Sequence, residues 1–531
     1  MIGAPMGVRL YRATGAALQA MPPRSLWAAS AAVWVRHKDL LSNSASLFAA
    51  TGVTSGLGFA FWAFAARKFS QQAVGYGSAA VSAMTLLGTI GVFGLGTVLI
   101  GELPRRNPRA GLVSAALLAS GIGSVLLGLG FAAVAPLASK RFGDIVGEPD
   151  KALIFAVGVS LTAIAAVFDQ ATIGLFRGGI QLSRNFIFTL TKMLALPVAA
   201  IMIHDQFGVG ISASWVIGIA ASLAASAIWL RIHGSPILPR PDWRVLRGLG
   251  KTAAAHNWLN LAIAVPVALI PVLVTVVVSP SANAAFYVAW MLTGFLYAIP
   301  LSLSTVLFAV AAAEPQLIAR KLRFALKLSL LIGLPGMLTL CLGAHFVLSL
   351  FGRGYAREAT FPLCLISLSY VPGLPKTFYI AVCRAAGRVS QAAVVLTTFA
   401  VVEIISAAVG GSIGGLKGLS VAIFAVLFIE GLVTTPAVLG TVTGHARHGL
   451  LGTQTPTASS NPGIGAHFER RQPGHIRSYP QAQERPITCT ETLCVCGAAL
   501  DCPAQALSSK EDYQACCTAA TIPFSAIRAE P

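Results

Sequence analysis

The amino-acid sequence predicts an all-α integral membrane protein, with twelve transmembrane helices in two pseudo-symmetric six-helix lobes. Three observations lead to this fold class: the composition, the number of long apolar segments, and a repeat that relates the two halves of the chain. Of the 531 residues, 55% are hydrophobic and only 11% are charged. Soluble domains carry about 25% charged residues, so the composition alone indicates a membrane protein.

The net charge of +19 also fits a membrane protein. In a basic soluble protein such an excess would suggest nucleic-acid binding. In a membrane protein, lysine and arginine gather at the ends of spanning helices and set their orientation. We therefore expect the lipid bilayer as the surroundings and no nucleic-acid partner.

Twelve apolar segments are long enough to cross a bilayer, which takes about 20 residues for each helix. Several carry glycine and proline, which membrane helices tolerate where neighbouring helices pack closely. The segments are 43–64, 74–101, 110–136, 152–176, 185–203, 208–230, 252–278, 284–311, 325–350, 359–383, 389–410 and 416–442.

Lysine and arginine are unevenly divided between the two sides of the predicted helices. The N-terminal arm and the loops on its side, including Arg177 and Arg184, hold 21 of them, and the opposite loops hold eight. Because positive charge collects on the cytoplasmic side, both termini are predicted to lie in the cytoplasm.

Composition also divides the chain into five parts. Cys341, Cys364 and Cys383 lie in apolar segments and are predicted to be small core residues. The polar, proline-rich C-terminal part is predicted to be disordered. The parts are a cytoplasmic arm with an interfacial helix (1–40), the first lobe (41–231), a cytoplasmic linker (232–251), the second lobe (252–443) and a cytoplasmic tail (444–531).

An internal repeat supports two lobes of the same orientation. The stretch from Tyr76 to Pro104 aligns with the stretch from Tyr287 to Pro315, at an offset of 211 residues. Two six-helix halves related in this way form a transporter architecture, with the site between the halves.

The fourth and tenth segments also align, at an offset of 207 residues, which matches Asp169 with Lys376 and Arg177 with Arg384. Asp169 and Lys376 each precede their arginine by eight residues, which places both about 12 Å into the membrane. At equal depth, the acid and the base could face each other across a central cavity. Three interpretations stay open: an ion pair that locks the halves, a gate or site charge, or side chains that point elsewhere.

Several stretches resemble a known family. They are NSASLFAATGVTSGLGFAFWAFAARKFS from Asn43, then VGYGSA and GELPR, the run DQATIGLFRGGIQLSRN with Lys192, and HNWLNLA from His256. They resemble the polysaccharide (O-antigen-type) flippases, whose superfamily includes the multidrug-and-toxin (MATE-like) extruders and the lipid-II flippases. The resemblance covers residues 40–442 and indicates the fold better than the substrate.

The resemblance implies transport of polyprenyl-diphosphate-linked saccharides across the bacterial cytoplasmic membrane, for cell-envelope polysaccharide biosynthesis. The expected partners are the lipid-linked saccharide and glycan-assembly proteins. An anionic diphosphate favours Arg or Lys, so the candidate binding cations are Arg67, Arg177, Lys192, Lys376 and Arg384. At helix ends, Arg67, Arg177 and Arg384 could instead be orientation charges.

Glu403 and Glu430 fall near the middle of the last two segments. Carboxylates within a membrane are candidates for carrying a coupling proton, and Asp169 joins them as a gate or coupling candidate. Each could instead pair with a nearby base for a structural purpose. No cofactor and no metal site is expected from the sequence.

Two other function classes remain as alternatives. A multidrug or cation extruder of the same fold would favour an acidic cavity with aromatic residues, whereas basic residues dominate here. A membrane-bound glycan ligase or polymerase would need a large outer loop with acid and base residues, and the outer loops are short. We therefore expect a transporter and no enzymatic activity.

Overall fold

The computed structural model describes residues 55–103, 110–175, 177–203, 207–233, 240–313 and 318–443. These residues are helical almost throughout, and no β-strand occurs among them, so the predicted all-α fold is confirmed. The predicted N-terminal arm (1–40) and C-terminal tail (444–531) lie outside the described residues.

Sixteen helices are described. The first, α1, covers 55–68. The others are α2 (Gln71–Gly91), α3 (Leu95–Glu102), α4 (Ala110–Ala138), α5 (Lys140–Val146), α6 (Pro149–Gly174), α7 (Gly178–Met202), α8 (Val209–Ile232), α9 (Trp243–Gly248), α10 (Gly250–Val277), α11 (Pro280–Ala313), α12 (Ile318–Leu342), α13 (Ala344–Ser349), α14 (Arg353–Leu368), α15 (Tyr370–Ala385) and α16 (Val389–Thr443).

Nine helices of the described ranges are long and apolar enough to cross a membrane. One of them, α16, contains two predicted spans, because its 55 residues include non-helical backbone at Gly414 and Gly415. The predicted tenth span is divided into α14 and α15, which meet at Ser369. With α1, which covers the described part of the first segment (55–64), the described helices correspond to the twelve predicted segments.

The predicted second span is also interrupted, between α2 and α3. Phe93 and Gly94 both have positive φ angles, 51° and 71°, which end one helix and redirect the chain into the next. A Cβ atom on Gly94 would lie 2.1 Å from the Ala253 carbonyl oxygen of α10. Glycine therefore allows both the left-handed turn and the close approach of α10.

The two halves of the chain meet along α2, which packs against α10 and α11. Asn283 of α11 donates from Nδ2 to the Gly75 carbonyl, at 2.9 Å, and to Ser78 Oγ, at 3.0 Å. A buried apolar cluster joins α1 with α11 around Phe61 and Val288. The lobe boundaries at 231 and 252 stay a prediction.

Two of the three cysteines predicted as small core residues have a different role in the structure. Cys341 of α12 and Cys364 of α14 form a disulfide bond, whereas Cys383 is free and buried as predicted. The bond ties α12 to α14 across the short helix α13 that separates them in the sequence.

Candidate functional site

One cluster of charged side chains lies inside the second half of the chain. Lys376 of α15 places Nζ 2.8 Å from Glu430 Oε2, and the Glu430 side chain is fully buried. Glu403, which is 2% exposed, interacts electrostatically with both Lys376 and Glu430. One ammonium group therefore faces two buried carboxyl groups, from the two parts of α16.

The interruption between α14 and α15 positions Lys376. Tyr297 of α11 donates its hydroxyl to the Ser369 carbonyl, at 2.9 Å, and Tyr370 donates to the Ser329 carbonyl of α12, at 2.8 Å. These two hydrogen bonds attach the start of α15 to α11 and to α12. Lys376 lies two helical turns further on, where it reaches Glu430.

Asp169 pairs with Arg184 and not with Lys376. Arg184 Nε lies 2.6 Å from Asp169 Oδ1, and Arg184 Nη2 lies 2.6 Å from Asp169 Oδ2. This two-point ion pair lies within the first half of the chain. The interpretation in which Asp169 and Lys376 face each other across a cavity is therefore wrong. Each of the two residues has an ion-pair partner in its own half of the chain.

Arg184 was also predicted to be a cytoplasmic loop charge, and this is wrong. The helix α7 begins at Gly178, so Arg184 lies within it and is only 5% exposed. Only three residues separate α6 from α7, and Asp169 and Arg184 lie at nearly equal distances along the chain from this connection. In an antiparallel pair of helices such residues are neighbours, and this spacing was the signal available in the sequence.

Lys192 is buried among aromatic rings near the middle of α7. Its Nζ lies 3.9 Å from the ring centroid of Trp215, 4.4 Å from that of Phe188 and 5.0 Å from that of Phe61. Only 4% of the residue is exposed. We call Lys192 and these three rings the Lys192 cage. Within the described parts of the chain, the ammonium has neither an ion pair nor a hydrogen bond to another side chain.

The other three candidate cations lie at helix ends. Arg67 is exposed and donates from Nε to the Leu350 carbonyl, at 3.0 Å. Arg177 is exposed at the N-terminus of α7. Arg384 is partly buried in the last turn of α15, where Nη2 lies 3.4 Å from Asn260 Oδ1. Asn260 also donates to Thr97 Oγ1, at 2.9 Å, so this end of α15 is linked to the first half of the chain.

On the predicted outer side, polar contacts join the two halves. Arg141 of α5 donates from Nη1 to the carbonyls of Thr275 and Val276, at 2.9 and 2.7 Å, where α10 ends. Gln71 Nε2 lies 3.0 Å from the Ser281 carbonyl at the start of α11. The sequence indicated only a loop charge at Arg141, because the acceptors are main-chain atoms that no residue type reveals.

Comparisons with known proteins confirm the resemblance and the fold. Residues 40–245 match the model of a family described as "Polysaccharide biosynthesis protein". No curated protein sequence matches the chain significantly.

Among solved structures, a multidrug resistance MATE family transporter of the MOP superfamily, in an inward-facing conformation, aligns with a TM-score of 0.57 and 15% identity. The alignment covers 74% of this chain and 94% of that chain. The lipid II flippase MurJ, in an inward closed conformation, aligns with a TM-score of 0.56 and 13% identity, over 74% of this chain and 89% of that chain. At these identities the likeness shows the shared fold.

Proposed function

We propose that this protein translocates lipid-linked oligosaccharide or polysaccharide precursors across the bacterial cytoplasmic membrane by alternating access, for cell-envelope polysaccharide biosynthesis. The match of residues 40–245 to the polysaccharide biosynthesis family is the observation that carries this proposal. The fold shared with a lipid II flippase supports translocation rather than covalent chemistry. Glycan-assembly proteins would supply and receive the substrate.

The physical task is to move a hydrated sugar-phosphate head past hydrocarbon. Burying hydroxyl and phosphate groups without partners costs several kcal/mol for each group, so the protein must supply polar or charged contacts. Lys192 and Arg384 are the candidate cations that are buried or partly buried and have no carboxylate partner among the described residues. We propose that they contact the head, and that Arg67 and Arg177 act at the helix ends.

An unpaired ammonium also argues against a cationic drug as the substrate. A cation entering beside Lys192 would meet like charge in a site that water does not screen. An anion there gains a partner. The proposal of a saccharide carrier therefore takes precedence over the extruder alternative.

We propose further that the cluster of Lys376, Glu430 and Glu403 provides the coupling. With both carboxyl groups ionised, the cluster would hold a net negative charge in a buried place, which is unfavourable. One bound proton makes it neutral. Glu403 is the better proton carrier, because Glu430 already contacts Lys376 at 2.8 Å. The pairing of Asp169 with Arg184 gives Asp169 a structural role between α6 and α7.

The test uses the full-length protein in proteoliposomes that contain a fluorescent polyprenyl-diphosphate saccharide. A membrane-impermeant reductant bleaches only the outer leaflet, so translocation increases the bleached fraction. We expect faster bleaching than in protein-free vesicles, and no protein-dependent uptake of ethidium by the same vesicles. Ethidium uptake without saccharide translocation would contradict the proposal and favour the extruder.

A further inference from the structure

Among the described cations buried within helices, Lys192 is the exception, because the others have a carboxylate partner. Arg184 is paired with Asp169, Lys151 with Glu148 at 2.9 Å, and Lys376 with Glu430. Lys192 is as buried as any of them, yet the contacts of its Nζ within the described ranges are to aromatic rings. The cage therefore holds a lysine that has no acidic partner among the described residues.

Aromatic rings compensate only part of the cost of burying this charge. A desolvated cation–π contact contributes about 2 kcal/mol, whereas burying one ion costs several kcal/mol even after the surroundings relax. A carboxylate or phosphate that entered the cage would form a charge-assisted hydrogen bond with Nζ. The geometry is therefore that of a site completed by an anionic ligand.

The position of the cage suits the translocated part of a substrate. Lys192 lies 14 residues after Gly178 and ten before Met202. These spacings place it about 21 Å from one end of α7 and about 15 Å from the other, near the middle of the membrane. The neighbouring Trp62 lies against Tyr287 of α11, with 4.6 Å between ring centroids. The cage thus borders the contact between the two halves.

The chemistry of the cage selects among anions. A diphosphate carries several charges and needs several donors, which guanidinium groups supply best. The cage offers one ammonium and three apolar rings, and Phe188 and Trp215 are only partly buried. One carboxylate matches one ammonium, and the apolar face of a sugar ring can pack on an aromatic face. The combination fits an acidic sugar.

We propose that the Lys192 cage is a subsite for an acidic sugar, such as a hexuronic acid residue, in the glycan carried by this protein. This inference rests on the proposed function, because it names the class of saccharide. The carboxylate pairs with Lys192 Nζ, and the sugar ring packs against Trp215 and Phe188. The diphosphate is bound elsewhere.

The first experiment measures binding alone, so it does not depend on transport. Purified full-length protein is titrated with methyl glucuronide, methyl glucoside and inorganic pyrophosphate, with tryptophan fluorescence as the readout. Trp215 lies 3.9 Å from Lys192 Nζ and reports an occupied cage. We expect saturable binding of methyl glucuronide only, and at least tenfold weaker binding in Lys192→Met.

The matched control is Lys417→Gln, which removes an exposed lysine outside the cage and should bind as wild type does. Lys192→Met replaces the ammonium with an apolar group of similar length, so we expect an unchanged or higher melting temperature. Equal binding of the glucuronide and the glucoside, no binding of either, or a preference for pyrophosphate would overturn the proposal. So would unchanged glucuronide binding by Lys192→Met.

The second experiment separates this proposal from the proposed function. Proteoliposomes receive polyprenyl-diphosphate lipids that carry either a neutral or a glucuronate-containing oligosaccharide. We expect at least tenfold faster translocation of the acidic lipid by the wild type, and loss of that preference in Lys192→Met. Equal rates in wild type overturn the acidic-sugar subsite and leave the flippase proposal standing. If neither lipid moves, the flippase proposal fails and the binding titration alone decides the subsite.

Discussion

Lys376 Nζ lies 2.8 Å from Glu430 Oε2, and this contact links α15 to the second part of α16. Glu430 is fully buried, whereas 23% of the Lys376 side chain is exposed. With Glu403 close by, the charge balance of the whole cluster depends on one lysine. Removal of its ammonium would leave two buried carboxyl groups without a cation.

We therefore expect Lys376→Met to lower the free energy of unfolding by about 3–5 kcal/mol, the usual cost of breaking a buried ion pair from one side. The double variant Lys376→Met with Glu430→Gln should recover most of this loss, because no isolated charge remains. Thermal unfolding in detergent measures both. Lys327→Met, at an exposed lysine of α12, is the control. A single variant as stable as this control would contradict the paired role.

The ion pair between Asp169 and Arg184 gives a second prediction. Asp169→Asn should destabilise the protein by about 3 kcal/mol or more, because Arg184 is 5% exposed and would lose its anionic partner. Exchanging the two residues, as Asp169→Arg with Arg184→Asp, should restore part of the loss. The exchange of Asp169 with Lys376 should restore nothing. Melting temperatures of the three variants decide between the two pairings.

A third prediction concerns the outer contact made by Arg141. Its guanidinium donates to carbonyls at the end of α10, where the helix dipole places partial negative charge. Arg141→Gln should weaken the closure of the two halves on this side. The reporter is Ser281→Cys, labelled by a membrane-impermeant maleimide, and we expect labelling to rise several-fold.

Lys140→Gln provides the comparison for this experiment. Lys140 is the exposed neighbour of Arg141, and its loss removes the same charge from the same surface. Labelling of the reporter should stay at the wild-type rate in this variant. An equal rise in both variants would show a general effect of surface charge instead of a specific contact.

The fourth prediction concerns Cys341 and Cys364. In the predicted orientation both cysteines lie towards the outer side, and an oxidising compartment there would preserve a disulfide. Alkylation of the denatured protein without reductant, followed by peptide mapping, should recover a linked peptide pair that contains both cysteines. Cys383 should be alkylated in the same sample, because it is free. Alkylation of all three cysteines before reduction would contradict the bond.

Much of the helical architecture could be predicted because a bilayer demands long apolar helices. The predicted segment at 152–176 corresponds to α6, which covers Pro149–Gly174. The predicted start at 185 for the next helix was late, because Arg184 was assigned to a loop. Charge ordinarily marks the end of a membrane helix, and a buried ion pair removes that signal.

The sequence was sufficient to predict the individual charged residues of the candidate site. It was not sufficient to predict which of them pair. Lys376, Glu403 and Glu430 were each conspicuous as charges within apolar segments. Which of them meet depends on how α15 and α16 pack, and on the interruption at Ser369 that two tyrosines stabilise. Of the rings around Lys192, Phe188 lies one turn earlier on α7 itself and Trp215 lies on the next helix, whereas Phe61 comes from the distant α1.

The acceptors of Arg141 and Arg67 are main-chain oxygens at Thr275, Val276 and Leu350. A main-chain oxygen is present whichever side chain a position carries. The second half can therefore vary in sequence at these positions without loss of an acceptor, so long as its helices end at the same places. We therefore expect the acceptor positions to accept many different side chains, whereas Arg141 and Arg67 should accept few.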